Sequence, residues 1–60
     1  MARYKPGETV PESGIYAEIS QGGTKLTEVT CVKKEPFPPT KGSGYHYELV
    51  RAAVHRRSEG

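Results

Sequence analysis

The sequence predicts an all-β fold: a small antiparallel meander or open SH3-like barrel of three to five short strands, with little or no helix. Three observations carry this expectation. Seven Gly and five Pro cut the 60 residues into short pieces, and both residue types interrupt helices. Three of those pieces show the strand-like period of two, with β-branched and aromatic residues prominent. The longest stretch of helical composition free of Gly and Pro runs from Glu48 to Arg57, and it follows residues that favour extended backbone.

The chain opens with turns. Pro6-Gly7 and Val10-Pro11-Glu12-Ser13-Gly14 combine a preset first turn angle with glycines that accept positive φ. The first strand is expected over Ile15–Ile19, where Ile15, Ala17 and Ile19 alternate with Tyr16 and Glu18 as in a half-buried strand. Ser20-Gln21-Gly22-Gly23 then supplies a hairpin turn. The second strand is expected over Lys25–Val32, rich in Val, Thr and Cys. Its alternation is imperfect, since Val29 and Cys31 share one face while Leu26 and Val32 share the other. A bulge near Glu28, or burial of both faces at one end, accounts for that.

Residues 33–44 contain three prolines and two glycines, which forbid a helix and a central strand alike. Loops of about 12 residues are long for a compact domain. Phe37, the sole Phe in a chain without Trp, is expected to anchor this loop against the core. The third strand is expected over Tyr45–Ala52, with Tyr45, Tyr47 and Leu49 on one face and His46, Glu48 and Val50 on the other. Arg51 is expected to share the face of the tyrosines. Ala52-Ala53-Val54-His55 extends the strand or closes it with a helical turn. The expected organisation is a single β domain over residues 1–55, followed by a frayed basic tail over 56–60.

Composition excludes several classes of protein. Apolar residues make up only 33% of the chain, and no apolar run approaches the roughly 18–20 residues of a membrane helix. One cysteine makes no internal disulfide. The start, Met1-Ala2-Arg3-Tyr4, lacks the apolar stretch of a secretory signal. A lone thiol without an export signal suits a reducing cytoplasm. The formal charge of +2 is uneven. Residues 1–30 carry a net −1, and residues 31–60 a net +3 through Lys33, Lys34, Lys41, Arg51, Arg56 and Arg57. Such an excess can steer an acidic partner but falls short of a dedicated nucleic-acid footprint.

Few residues invite chemistry. Cys31, His46 and His55 are the only soft metal-ligand candidates, and no two lie within four residues of each other, so no metal or other cofactor is expected. A Cys31–His46 nucleophilic pair is formally available, yet a strand position lacks the helix N-terminus that lowers a thiol pKa. No enzymatic activity is expected. Lys33 to Pro39 satisfies a basic-x-x-Pro-x-x-Pro pattern suited to polyproline-II grooves. An inward-facing Phe37 would conflict with that use. Gly42-Ser43-Gly44 lacks the ending of a nucleotide phosphate loop and leads into a strand, so it reads as a flexible turn. Tyr4, Tyr16, Tyr45 and Tyr47, interleaved with Arg3, Lys5, Lys41 and Arg51, could stack on single-stranded nucleic acid. The alternative is that the tyrosines cover the ends of a small core with their hydroxyls in water.

The order of short motifs carries a resemblance. Lys5-Pro6-Gly7-Glu8, Val10-Pro11, Ser13-Gly14-Ile15-Tyr16, Glu28-Val29-Thr30, Phe37-Pro38-Pro39 and Glu48-Leu49-Val50 resemble a group of short, uncharacterised bacterial proteins. The front half is similar to the YjzC-like proteins. The back half is similar to hypothetical proteins in which Phe-Pro-Pro is followed by a Cys-x-x-Cys-Gly knuckle. The resemblance covers residues 5–53 and implies a shared small β fold without an established activity. This chain has Thr40 and Ser43 where those relatives carry the two cysteines. Hydroxyls do not replace thiolates on zinc.

These readings converge on a bacterial, cytoplasmic protein-interaction module with no chemistry of its own and no membrane association. A weak nucleic-acid-binding small β-barrel is the alternative. The expected contact surface comprises Lys33, Lys34, Phe37, Lys41, Tyr45, Tyr47 and Arg51, with another protein as the expected partner.

Overall fold

The computed structural model describes residues 2–53, which form three antiparallel strands and no helix. Strand β1 spans Gly14–Ile19, β2 spans Lys25–Cys31 and β3 spans His46–Ala52. Their order in the sheet is β2-β1-β3. A hairpin through Ser20–Thr24 joins the first two, closed by the Ser20 and Gly23 backbone N–H groups and by the Ser20 hydroxyl. The long 32–45 connection then crosses one face of the sheet and returns the chain beside β1. The all-β expectation holds. The three strands form an open sheet, consistent with the small antiparallel alternative, and nothing in it supports an SH3-like barrel, even an open one: no strand among the described residues pairs with the outer edge of β2. The expected 56–60 tail, and the fate of Val54 and His55, lie outside the described residues.

Two further backbone pairings hold the ends of the loops. Tyr4 and Tyr47 exchange both N–H···O bonds, at 2.9 and 2.7 Å, so the N-terminal segment runs along β3. Residues 7–10 pair antiparallel with residues 34–37 through four backbone bonds of 2.8–3.0 Å. This ribbon overturns the polyproline-II reading of Lys33–Pro39. Lys34 takes a left-handed φ of 77°, Phe37 is only 2% exposed, and the backbone already has partners.

The core is aromatic. Tyr16, Phe37 and Tyr47 are buried with Val10 and Cys31, and Tyr4, Val29 and Leu49 pack against them. The Phe37 ring is stacked against Tyr4 on one side and Tyr47 on another, with centroids at 5.3 and 5.1 Å, and meets Tyr16 edge-on at 5.0 Å. Stacked and edge-on pairs of this kind add to the simple burial of area. Phe37 thus anchors its loop, as its isolation among prolines predicts. The two buried tyrosine hydroxyls are not in water: Tyr16 donates to the Glu12 carbonyl at 2.7 Å and Tyr47 to the Pro38 carbonyl at 3.0 Å. Each bond ties a loop to the sheet. Tyr47→Phe removes the tie to Pro38, and urea denaturation should show a loss of about 1 kcal/mol.

β1 departs from the half-buried pattern. Its core face is Tyr16 and Glu18, not the aliphatic side, and Ala17 and Ile19 on the other face are buried too. As the central strand it has cross-strand side chains on each face from both β2 and β3, and Glu28, Glu48, Lys25 and His46 flank Ala17 and Ile19 on the second face. Bulges decide the rest. Leu26 is the extra residue of β2, between the partners of Glu18 and Ile19, and accounts for the broken alternation there. Val50 is the extra residue of β3, since Ile15 lies opposite Arg51 while Tyr16 lies opposite Leu49. That bulge turns Arg51 away from the tyrosine face and onto the face of Ile15 and Ala17.

Candidate functional site

The structure disperses most of the expected contact surface. Phe37 and Tyr47, at 2% and 1% exposure, belong to the core and offer no free ring. Lys33 and Lys34 follow β2 at the Gly14 end of the sheet, where the Lys33 N–H donates to the Ser13 hydroxyl at 2.9 Å. Lys41 lies at the opposite end, near Glu18, a strand length of about 17 Å away. Arg51 points from the other face, beside Glu28, whose carboxyl is held below its usual range by Lys25 at 2.8 Å and by Arg51. Tyr45 and Lys41 remain on one segment, four positions apart, and of the two only Tyr45 lines the cleft between the N-terminal segment and the 40–46 turn. Cys31 and His46 likewise sit at opposite ends, across from Gly14 and Ile19 respectively, so the Cys–His pair does not form.

What the fold brings together instead is a half-open cleft of about 570 Å³. One wall is the N-terminal segment, with Arg3, Lys5 and Pro6. The other is the turn carrying Thr40, Gly42, Ser43, Gly44 and Tyr45, and His46 closes the floor at the start of β3. The Tyr4–Tyr47 pairing positions the first wall, because it fixes the backbone between Arg3 and Lys5 against β3. The second wall is held by the Thr40 hydroxyl, which donates to the Gly42 carbonyl at 2.8 Å. The Tyr45 ring packs over Gly42, and the Gln21 side chain packs against Gly44.

The lining is cationic and contains no carboxylate. Two carboxylates stand behind the walls. Glu48 accepts from His46 Nε2 at 2.8 Å and faces Arg3 at 3.8 Å through the same oxygen, so one acid orients two of the basic side chains. The Arg3 contact is exposed and contributes little to stability. Glu18 is 5% exposed, and its carboxylate accepts the Lys41 backbone N–H at 3.4 Å. Among the described residues no group of three or more His, Cys, Asp or Glu side chains is arranged to hold a metal ion. No described helix is long and apolar enough to cross a membrane. No family model, curated protein or solved structure matches the chain.

Of the expected contact residues Tyr45 alone lines the cleft, and sequence reasoning missed Pro6 and His46 as its companions. It grouped Arg3 and Lys5 with the tyrosines but without a location. The missing signal is the bridge between Tyr4 and Tyr47, which are 43 positions apart and carry no local mark of pairing.

Titration of the core sets an alkaline limit on the fold. Burial pushes the Cys31 thiol above its ordinary 9.0 and the Tyr16 and Tyr47 hydroxyls above their ordinary 10.0. Because the folded state holds these protons more tightly, the stabilisation is complete below the unfolded values and is lost as pH rises through the folded ones. Urea midpoints should therefore be flat from pH 7 to 8.5 and fall above pH 9. A midpoint that rose between pH 9 and 11 would contradict the assignment of these groups to the core.

Proposed function

We propose that this protein is a non-catalytic interaction module that binds an anionic segment of a partner protein in the cleft between its N-terminal segment and the 40–46 turn. The observation that carries the reading is the cleft lining: Arg3, Lys5 and His46 beside the half-buried Tyr45, with no carboxylate. Cations beside an aromatic ring form a surface suited to a protein contact, since the ring gives area at low entropy cost. The volume lies within the roughly 300–1,000 Å³ of ligand sites. No cofactor enters this reading, and a reducing bacterial cytoplasm is its setting.

The nucleic-acid alternative has less support. A nucleic-acid strand is followed by a continuous basic track, and here Lys33 and Lys34, Lys41, and Arg51 point from three separate places. Titrating the protein with a Glu-rich peptide and with a short single-stranded oligonucleotide separates the two. The peptide should saturate, and Arg3→Ala with Lys5→Ala should weaken it at least tenfold. Tighter binding of the oligonucleotide, fading steeply between about 50 and 200 mM salt, would overturn the protein-partner reading.

A further inference from the structure

We infer that the cleft is built to receive a phosphate monoester, the phosphoryl group of a modified side chain in the partner. The inference rests on the cleft being the working surface, and it names the chemistry recognised there. The backbone N–H groups of Gly42, Ser43 and Gly44 have no hydrogen-bond partner among the described residues, and all three residues line the cleft. Gly44 is left-handed at φ 83°, and a turn containing such a residue can gather successive N–H groups into a concavity that binds anions. This differs from a nucleotide phosphate loop, which opens a helix; here the turn opens β3.

The opposite wall supplies the countercharge. Arg3 offers a planar fork suited to bidentate contact with phosphate oxygens, and Lys5 offers a compact ammonium. The Ser43 hydroxyl adds a donor, whereas the Thr40 hydroxyl is already committed to the Gly42 carbonyl. Three amides, one hydroxyl and two cations exceed what the two oxygens of a carboxylate can use. They suit the three terminal oxygens and double charge of a phosphate monoester. Glu48 accepts from His46 Nε2 at 2.8 Å and lies 3.8 Å from Arg3 Nε, so this carboxylate stands beside the basic side chains rather than in the lining.

Amide chemical shifts of the intact protein test this with inorganic phosphate, acetate and a phosphoserine peptide, all at one ionic strength. Phosphate should move the Gly42, Ser43 and Gly44 amides along a saturating curve, and acetate at the same concentration should move them far less, since a single carboxylate engages fewer of the donors. Arg3→Ala or Lys5→Ala should weaken phosphate about tenfold, the effect of one lost charge-assisted bond. Lys33→Ala, at the far end of the sheet, should leave it unchanged. The phosphoserine peptide should bind at least tenfold tighter than inorganic phosphate; equal affinities would contradict the partner-borne source. Absence of phosphate shifts, or equal response to acetate, would overturn the phosphoryl assignment. Binding of the Glu-rich peptide in that case would leave the interaction module standing. Phosphate saturation without binding of either peptide would remove the partner protein and keep the anion site.

Discussion

Phe37→Ala is expected to leave the protein largely unfolded at room temperature. Its ring contacts Tyr4, Tyr16 and Tyr47 at centroid distances of 5.0–5.3 Å, so truncation removes three aromatic contacts and opens a cavity at the centre. Losses of about 3–5 kcal/mol are usual for such a change. A domain of this size holds only about 3–5 kcal/mol in total. The sheet alone has little to compensate, since β2 is exposed along most of its length. Circular dichroism and amide dispersion at 25 °C check the outcome, and a cooperative melt at the wild-type temperature would contradict the aromatic core. Phe37→Leu should keep part of the packing and melt between the two.

Gly14→Val is the second change with a large expected effect, and it acts through backbone geometry. A Cβ at Gly14 would come within 2.5 Å of the Arg51 carbonyl oxygen and 2.9 Å of the Ala52 Cα. Both are backbone atoms of β3 and cannot swing aside as a side chain would. The strands must separate where the Ala53 N–H donates to the Ser13 carbonyl at 2.8 Å. Overpacking of this kind costs about 1–3 kcal/mol, occasionally more. Branching at Val adds bulk beyond the Cβ clash, so a loss at the upper end is expected, with faster amide exchange at Arg51 to Ala53. Gly22→Ala is the control: nothing lies within 4 Å of the added carbon, and its urea midpoint should hardly move.

The contrast between these glycines marks what could be read in advance. Local signals worked where local physics decides the outcome. The turn before β2, the strand character of all three segments and the inward role of Phe37 follow from chain stiffness, β-branching and the isolation of one large apolar ring. Facing followed only in part: Tyr47 and Leu49 share the core face with Val29 and Cys31, apart from His46 and Glu48, as the alternation predicts, whereas β1 and Arg51 depart from it. Tyr16 and Glu18 turn to the core because their face of the sheet carries Val29, Cys31, Tyr47 and Leu49 and is covered by Phe37 and Val10, a packing that the alternation within β1 does not reveal. Arg51 changed face through the extra residue at Val50, which no local pattern around Glu48-Leu49-Val50 announces. The cleft was harder still. Its walls come from residues 3–6 and 40–46, and only the Tyr4–Tyr47 pairing makes them neighbours. A basic, aromatic composition suggested a contact surface; the tertiary pairing decides which of its members share one.

The proposed working surface is this cleft and not the lysines at the far end of the sheet. The most direct measurement is a map of amide shifts on the intact protein as a Glu-rich peptide is added at low salt. Shifts are expected on Arg3, Lys5, Gly42, Ser43, Tyr45 and His46, and they should be lost together in the Arg3→Ala, Lys5→Ala double variant while the amide dispersion of the fold persists. Shifts grouped instead on Lys33, Lys34 and Arg51, or unaffected by that double variant, would contradict this placement.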